Sequence, residues 1–367
     1  MSDGSREALH GALVAGFLFF VLILSAGHAI APDGGSSSGG GTISQTVNAN
    51  APRLIAFDIR NAANTSSVMG TQLDVLTTFN FWITVNNTNG WASITNLYVN
   101  LWYDAGVDAT SYDSANSAAN YKINITYTNA AATSPTATQW ALISGNVAFV
   151  PSTDVTIYTN QPTYNYSFRM AFQLHAQIHQ AQDPTLSSAG YSNAYSWNAR
   201  FGARDVTPNV NYTSKDPTTG LFYEFGVYQY TSISLASTIW TGASAAPGQT
   251  VSTNSITVTH SSNAAYWFNV TAGGDLSDGS IHTIGITNVK VVHTGQDDLS
   301  ANTPFPGSAP RTVTLLGTST TPHVFDDTGD SQAVPVQFQI SIPLGTFAAT
   351  YTVAVTVKVE QRAPPTS

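Results

Sequence analysis

Two histidines four positions apart, His175 and His179, have the spacing with which a metalloprotease helix offers a pair of zinc ligands. The residue after the first is Ala176, not glutamate, and the surrounding alternation is that of a strand. Four residues along a strand separate the backbone by about 13 Å. The pair is therefore expected on the polar face of a sheet, beside Gln177, without a shared metal. Oxygen chemistry has better candidates. Asp326-Asp327-Thr-Gly-Asp330 and Gln296-Asp297-Asp298 read as loops, and Asp275 and Asp278 sit in a turn with Gly279. Calcium takes six to eight oxygen ligands, so Asp326, Asp327 and Asp330 are the candidate ligands. No complete binding-loop pattern is present, and aspartate is a favoured turn residue, so turn formation is the leading reading. Calcium is the one cofactor the sequence admits.

Six Asn-x-Ser/Thr triplets stand at Asn64, Asn86, Asn124, Asn165, Asn211 and Asn269. They are candidate glycosylation sites, although a chain rich in Asn, Ser and Thr also forms such triplets by chance. Asn124, Asn165 and Asn269 fall where the strand pattern predicts the polar face.

Catalytic constellations are missing from the pattern. Glycoside hydrolysis needs two carboxylates about 5–10 Å apart. Glu224 sits in an aromatic strand and has no partner that spacing can name. There is no Gly-x-Ser-x-Gly and no phosphate-cradling loop. With no cysteine, thiol catalysis, thiolate metal sites and disulfides are excluded. Seven tryptophans, at 82, 91, 102, 140, 197, 240 and 267, have faces that can stack on sugars, but core packing accounts for most of them. No enzyme activity is expected.

The elements that position these residues are strands. Phe79, Phe81, Ile83 and Val85 alternate with polar neighbours, as do Leu97, Val99, Leu101 and Tyr103, and Tyr121, Ile123, Ile125 and Tyr127. The longest alternation runs from Tyr164 to Ile178. A period of two marks strands with one face in a core. Leu221–Tyr230 reads as a core strand of a first domain. The pattern lapses over 241–249, among small residues, Pro and Gly. Strands resume at 255–259, 266–271, 284–292, 334–342 and 351–359. In the last, Val355 is expected at the centre facing the core and Thr356 facing outward. No convincing helical periodicity follows residue 31. The expected class is all-β, with two consecutive Ig-like β-sandwich domains behind one N-terminal transmembrane or signal helix.

That helix is read from residues 11–27, an uncharged apolar run of 17 residues, extendable over 8–30 to 23 residues with two histidines as interruptions. About 20 residues cross a bilayer. The alternative is a cleaved signal, with small residues at Gly27-His28-Ala29 or Ala29-Ile30-Ala31 and Pro32 hindering the second. The expected organisation is an anchor or signal over 1–31, a Gly/Ser-rich tether over 32–50, a first domain over 51–240, a linker over 241–254, a second domain over 255–361 and a polar tail over 362–367. The membrane, through residues 8–31, is one expected partner. Charged residues make up 9% of the chain, against about 25% in an ordinary soluble protein, so Ser, Thr, Asn and Gln fill the surface positions. The net charge is −9 with 12 basic residues, which leaves no basic stripe for nucleic acid.

The stretch Ser255-Ile-Thr-Val-Thr, Tyr266-Trp-Phe-Asn-Val-Thr-Ala, Asp275-Leu-Ser-Asp-Gly279 and the closing Ile342-Pro-Leu-Gly-Thr-Phe-Ala-Ala-Thr-Tyr-Thr-Val353 resembles sandwich domains of archaeal cell-envelope (surface-layer-associated) glycoproteins. Arg204-Asp-Val-Thr-Pro and Gly220-Leu-Phe-Tyr-Glu-Phe-Gly-Val-Tyr are similar to the same group. The resemblance covers about 40% of the chain. It implies a non-enzymatic, glycan-bearing surface protein with structural, adhesive or assembly roles, and other envelope proteins or further copies of itself as partners. The N-terminus is also similar in plan to archaeal type IV pilins. Glu7 precedes the apolar run, but no basic-Gly processing site does. A variant of that plan donates Thr42–Val47 as a strand to the next subunit of a filament. A carbohydrate-binding module or surface hydrolase is the third alternative.

Overall fold

The computed structural model describes residues 52–104, 106–107, 112, 122–129, 139–150, 156–160, 164–187, 190–206, 210–216, 220, 222–292, 302–317, 322–323 and 330–361. The expected anchor over 1–31, the tether to residue 50 and the tail over 362–367 lie outside them. Among the described residues no helix is long and apolar enough to cross a membrane. Their helical segments are short 3-10 turns, Trp91–Ser93 and Ile286–Asn288. The all-β expectation holds.

Two sheets pack round a first apolar cluster. One joins Arg53–Asn61, Thr78–Asn86 and Asn165–Leu174 in antiparallel order. Val147–Phe149 and Thr156–Asn160 both pair with the outer side of Asn165–Leu174. The other runs Gln72–Leu73, Glu224–Val227, Trp197–Asp205, Ile94–Tyr103, Lys122–Thr128 and Trp140–Ser144, with Val210–Thr213 also on Trp197–Asp205. Its one parallel pair is Gln72–Leu73 with Glu224–Val227. The period-two residues meet between the sheets. Phe81, Ile83 and Val85 are fully buried, as are Leu97, Val99, Leu101, Ile123, Ile125, Tyr127, Phe168 and Phe172. Phe57 lies against Phe201 and Tyr223, Phe81 stacks on Phe172 at 3.8 Å, and Tyr127 reaches across to Phe168 at 5.6 Å.

The long alternation ends earlier than expected. The strand is Asn165–Leu174. The His175 N–H then donates to the Asn146 carbonyl and the Ile178 N–H to the His175 carbonyl. The chain turns there, while Ile178 stays fully buried. The buried, apolar character of even positions persists through the turn, which is why alternation alone overran the strand.

The second cluster lies between a sheet of Thr231–Leu235, Ile256–Ser262, Asp330–Ser341, Val289–Val292 and Thr303–Pro304, joined by Thr250–Ser252, and a three-stranded sheet of Thr312–Leu316, Tyr266–Ala272 and Val355–Gln361. Phe268, Val270, Val291, Leu315 and Val336 are fully buried there. Thr231–Leu235, expected at the end of the first domain, pairs with Ile256–Ser262. Thr250–Ser252, expected in the linker, pairs with Asp330–Ser341. The chain passes from the sheets of the first cluster to those of the second at 228–230. Asn263 fastens it: the side chain accepts from the Tyr230 N–H and donates to the Tyr228 carbonyl, and the backbone carbonyl accepts from the Gln180 N–H.

Candidate functional site

The closing strand explains the most unusual surface of the molecule. Along Tyr351, Val353, Val355, Val357 and Val359 every side chain turns toward the second cluster, and every one is only half-buried. Thr352, Ala354, Thr356, Lys358 and Glu360 between them are exposed. The orientation of Val355 is the expected one. Its depth and place are not, because the strand begins at Val355 and forms the edge of its sheet, pairing with Tyr266–Ala272 alone. Nothing among the described residues pairs with its outer side.

Two hollows open beside this row. One, of about 390 Å³, lies between Trp240, Phe338, Tyr351, Val353 and Val355. The other, of about 480 Å³, lies between Pro247, Ile342, Phe347 and Tyr351. Gly242, Leu276, Ile340 and Tyr351 line both, so they form one groove, with polar and apolar walls in about equal share. Ile239 on its rim is 69% exposed and Phe347 is 60% exposed. Sequence reading missed the groove because an edge strand carries the same alternation as a central one. The one available signal was Lys358 and Glu360, charges of the kind that edges display. They pair with each other at 3.2 Å.

The residues singled out for chemistry serve the fold. His175 is exposed beyond the end of its strand, and His179 is packed on Tyr103 with ring centroids 4.1 Å apart. The two do not share a sheet face. Burial pushes the His179 pKa down to about 4, against the opposing effect of its hydrogen bond to the Gln180 carbonyl. Glu224 is buried, and its carboxylate accepts from Ser196 Oγ at 2.7 Å and from the Asn193 N–H at 3.1 Å. It holds a turn.

Asp326 and Asp327 lie outside the described residues, and Asp330 opens a strand opposite Ser262. Among the described residues no group of three or more His, Asp or Glu is placed to hold a metal. Asp275 accepts from the Ile286 N–H, and Asp278 accepts from the Ser280 N–H and pairs with His282 Nδ1 at 2.7 Å. That His282 hydrogen bond, more than the backbone ones, lowers the Asp278 pKa.

The candidate glycan acceptors are spread over both sandwiches. Asn124, Asn165 and Asn269 are half-buried on strand faces turned away from the core. Asn86 and Asn165 sit opposite each other, with Asn86 Nδ2 donating to Asn165 Oδ1 at 2.8 Å. Asn124 donates to Ser144 Oγ and accepts from Asn100 Nδ2, both at 2.9 Å. Asn269 accepts from Thr314 Oγ1, and Asn211 donates to the Pro52 carbonyl. Asn64 lies in a turn with φ 58°.

No family model matches this chain, and no curated protein matches it. Solved structures with some likeness include the C-terminal domain of the Streptococcus pyogenes antigen I/II-family protein AspA. It is 9% identical, with 85% of this chain and 96% of that one covered and a TM-score of 0.23. The C-terminal domain of the Streptococcus agalactiae AgI/II polypeptide BspA is 9% identical over 85% and 100%, with a TM-score of 0.19. A partial N-terminal region of the enterococcal surface protein is 10% identical over 88% and 99%, with a TM-score of 0.17. Overlaps at these scores establish no shared fold.

Proposed function

We propose that this chain is a non-enzymatic cell-surface protein, held by the apolar segment 8–31 and presenting a two-sandwich Ig-like β body outside the cell, with glycans on some of the six sequons. The observation that carries the reading is the order of the chain. An uncharged run long enough to cross a bilayer precedes a Gly/Ser tract and then a body built of strands. The body supports it further, since Glu224, His179 and Asp278 are engaged in structural contacts. Its surface is weakly charged, as suits spacing, adhesion or assembly.

The test is protease treatment of intact cells expressing the full chain. Cleavage within the tether should release a folded body of about residues 42–367, and untreated protein should sediment with membranes. A body protected until the cells are lysed would overturn the reading. Intact-mass measurement of the released body then reports the glycans. A second reading, a filament subunit, is favoured by the open edge of Val355–Gln361 and the groove beside Tyr351–Val355.

A further inference from the structure

We propose that the groove along Tyr351–Val355, with the open edge that continues it to Val359, is the acceptor site for a β-strand supplied by residues 42–51 of a second copy of this chain. This deepens the filament reading above.

An edge strand with an alternating row of valines and no inward charge or proline is a template for another strand. Here the inward row is also only half-buried, and hollows of mixed polar and apolar lining open beside its Tyr351–Val355 part. A small molecule would fill the hollows and leave the edge N–H and C=O groups unpaired. An added strand satisfies both, because its backbone pairs with the edge while alternate side chains enter the groove.

Residues 42–51 read Thr-Ile-Ser-Gln-Thr-Val-Asn-Ala-Asn-Ala. Ile43, Val47, Ala49 and Ala51 fall on one side with Gln45. Thr42, Ser44, Thr46, Asn48 and Asn50 fall on the other. That is the pattern of a strand with one apolar face.

The position of Pro52 decides whose strand it is. Arg53 lies opposite Asn86, and Pro52 accepts from Asn211, at the end of the first sandwich remote from the junction. The nine-residue strand Arg53–Asn61 puts about 26 Å between that end and the junction. Gln361 sits at the junction, donating to the Tyr230 carbonyl, and Val355 lies about 20 Å beyond it on the far side. Residues 42–51 span at most about 34 Å fully extended, less than the path along the molecule. The donor therefore belongs to another copy. The contact is head-to-tail, so repetition builds a ring if the rotation closes and an open chain if it does not. A donor held in a membrane through residues 8–31 has residues 32–41, about 34 Å fully extended, with which to reach its acceptor.

The test uses the full chain in detergent, which is naturally free of cysteine. Single variants Ile43→Cys and Val47→Cys are mixed, under oxidation, with single variants Val353→Cys and Val357→Cys. Covalent dimers should form between the two sets. A chain carrying Val47→Cys and Val357→Cys should give a ladder of oligomers. The charged variant Ile43→Asp/Val47→Asp is first compared with the parent by circular dichroism and thermal melting, which should match. It should be monomeric by light scattering where the parent forms oligomers. Three results would overturn the proposal: a monomeric parent with no cross-links, oligomers of the Ile43→Asp/Val47→Asp variant equal to the parent's, or a disulfide that closes within one chain at high dilution. None of them bears on protease release from intact cells, so the surface reading stands or falls separately.

Discussion

His260 is 1% exposed, edge-on to Tyr266 with centroids 4.9 Å apart and packed on Phe268. Burial, and then the neighbouring His323, lower its pKa from 6.5 to about 4. The unfolded chain takes up the proton near pH 6.5 and the folded chain only near pH 4. Stability is therefore complete above pH 6.5, declines as pH falls through that window and is fully reduced below about 4. A gap of that size corresponds to about 3 kcal/mol. We expect the melting temperature of the second sandwich to fall between pH 7 and pH 4.5, and His260→Phe to flatten much of that fall. An unchanged pH profile in His260→Phe would show that the acid sensitivity arises elsewhere, with His179, whose pKa is lowered in the same direction, the next residue to replace.

Two neighbouring strands separate what a sequence pattern reveals from what it conceals. Tyr266–Ala272 is flanked on both sides, by Thr312–Leu316 and by Val355–Gln361, and its inward side chains are buried. Val355–Gln361 is flanked on one side, and its valines are half-buried. Phe268→Ala should cost about 3–5 kcal/mol, the usual range for a large buried side chain. Val357→Ala should cost about 1 kcal/mol or less, since little of its surface is lost from water to begin with. Chemical denaturation of the two variants measures both, and equal costs would contradict the edge assignment. In sequence the two strands look alike, because alternation reports which way side chains face and not how many layers cover them. The core positions from Phe79 to Val85 and from Leu97 to Tyr103 were therefore legible, and so was the outward side of Asn165 and Asn269. The groove, the turn at His175 and the passage at 228–230 were not. Each depends on a partner distant in sequence: Asn146 for His175, Asn263 for Tyr228 and Tyr230, and the missing neighbour of Val355.

At the scale of the molecule, a buried amide among the described residues ties the sheets of the first cluster to those of the second. Asn263 is fully buried, and beyond its bonds to Tyr228, Tyr230 and Gln180 its Oδ1 accepts from Gln361 Nε2 at 3.1 Å. Asn263→Ala leaves several of these groups without a partner, at about 1–3 kcal/mol for each buried polar group. Calorimetry of the parent should show coupled unfolding, and of Asn263→Ala two resolved transitions. A variant that melts as the parent does would remove Asn263 from that role. The sheet order carries a consequence in time. Gln72–Leu73 pairs with Gly226–Val227, about 150 positions later, and Ile94–Tyr103 pairs with Trp197–Asp205, about 100 positions later. At about 5–20 residues per second of synthesis, Gln72 waits between about 8 and 30 s before its partner exists. Through that interval Ile94–Tyr103 lacks its sheet neighbour Trp197–Asp205, and Phe81 lacks the facing ring of Phe201. A ribosome feeding this chain out slowly holds an adhesive half-product, which must be kept from its neighbours until Val227 emerges.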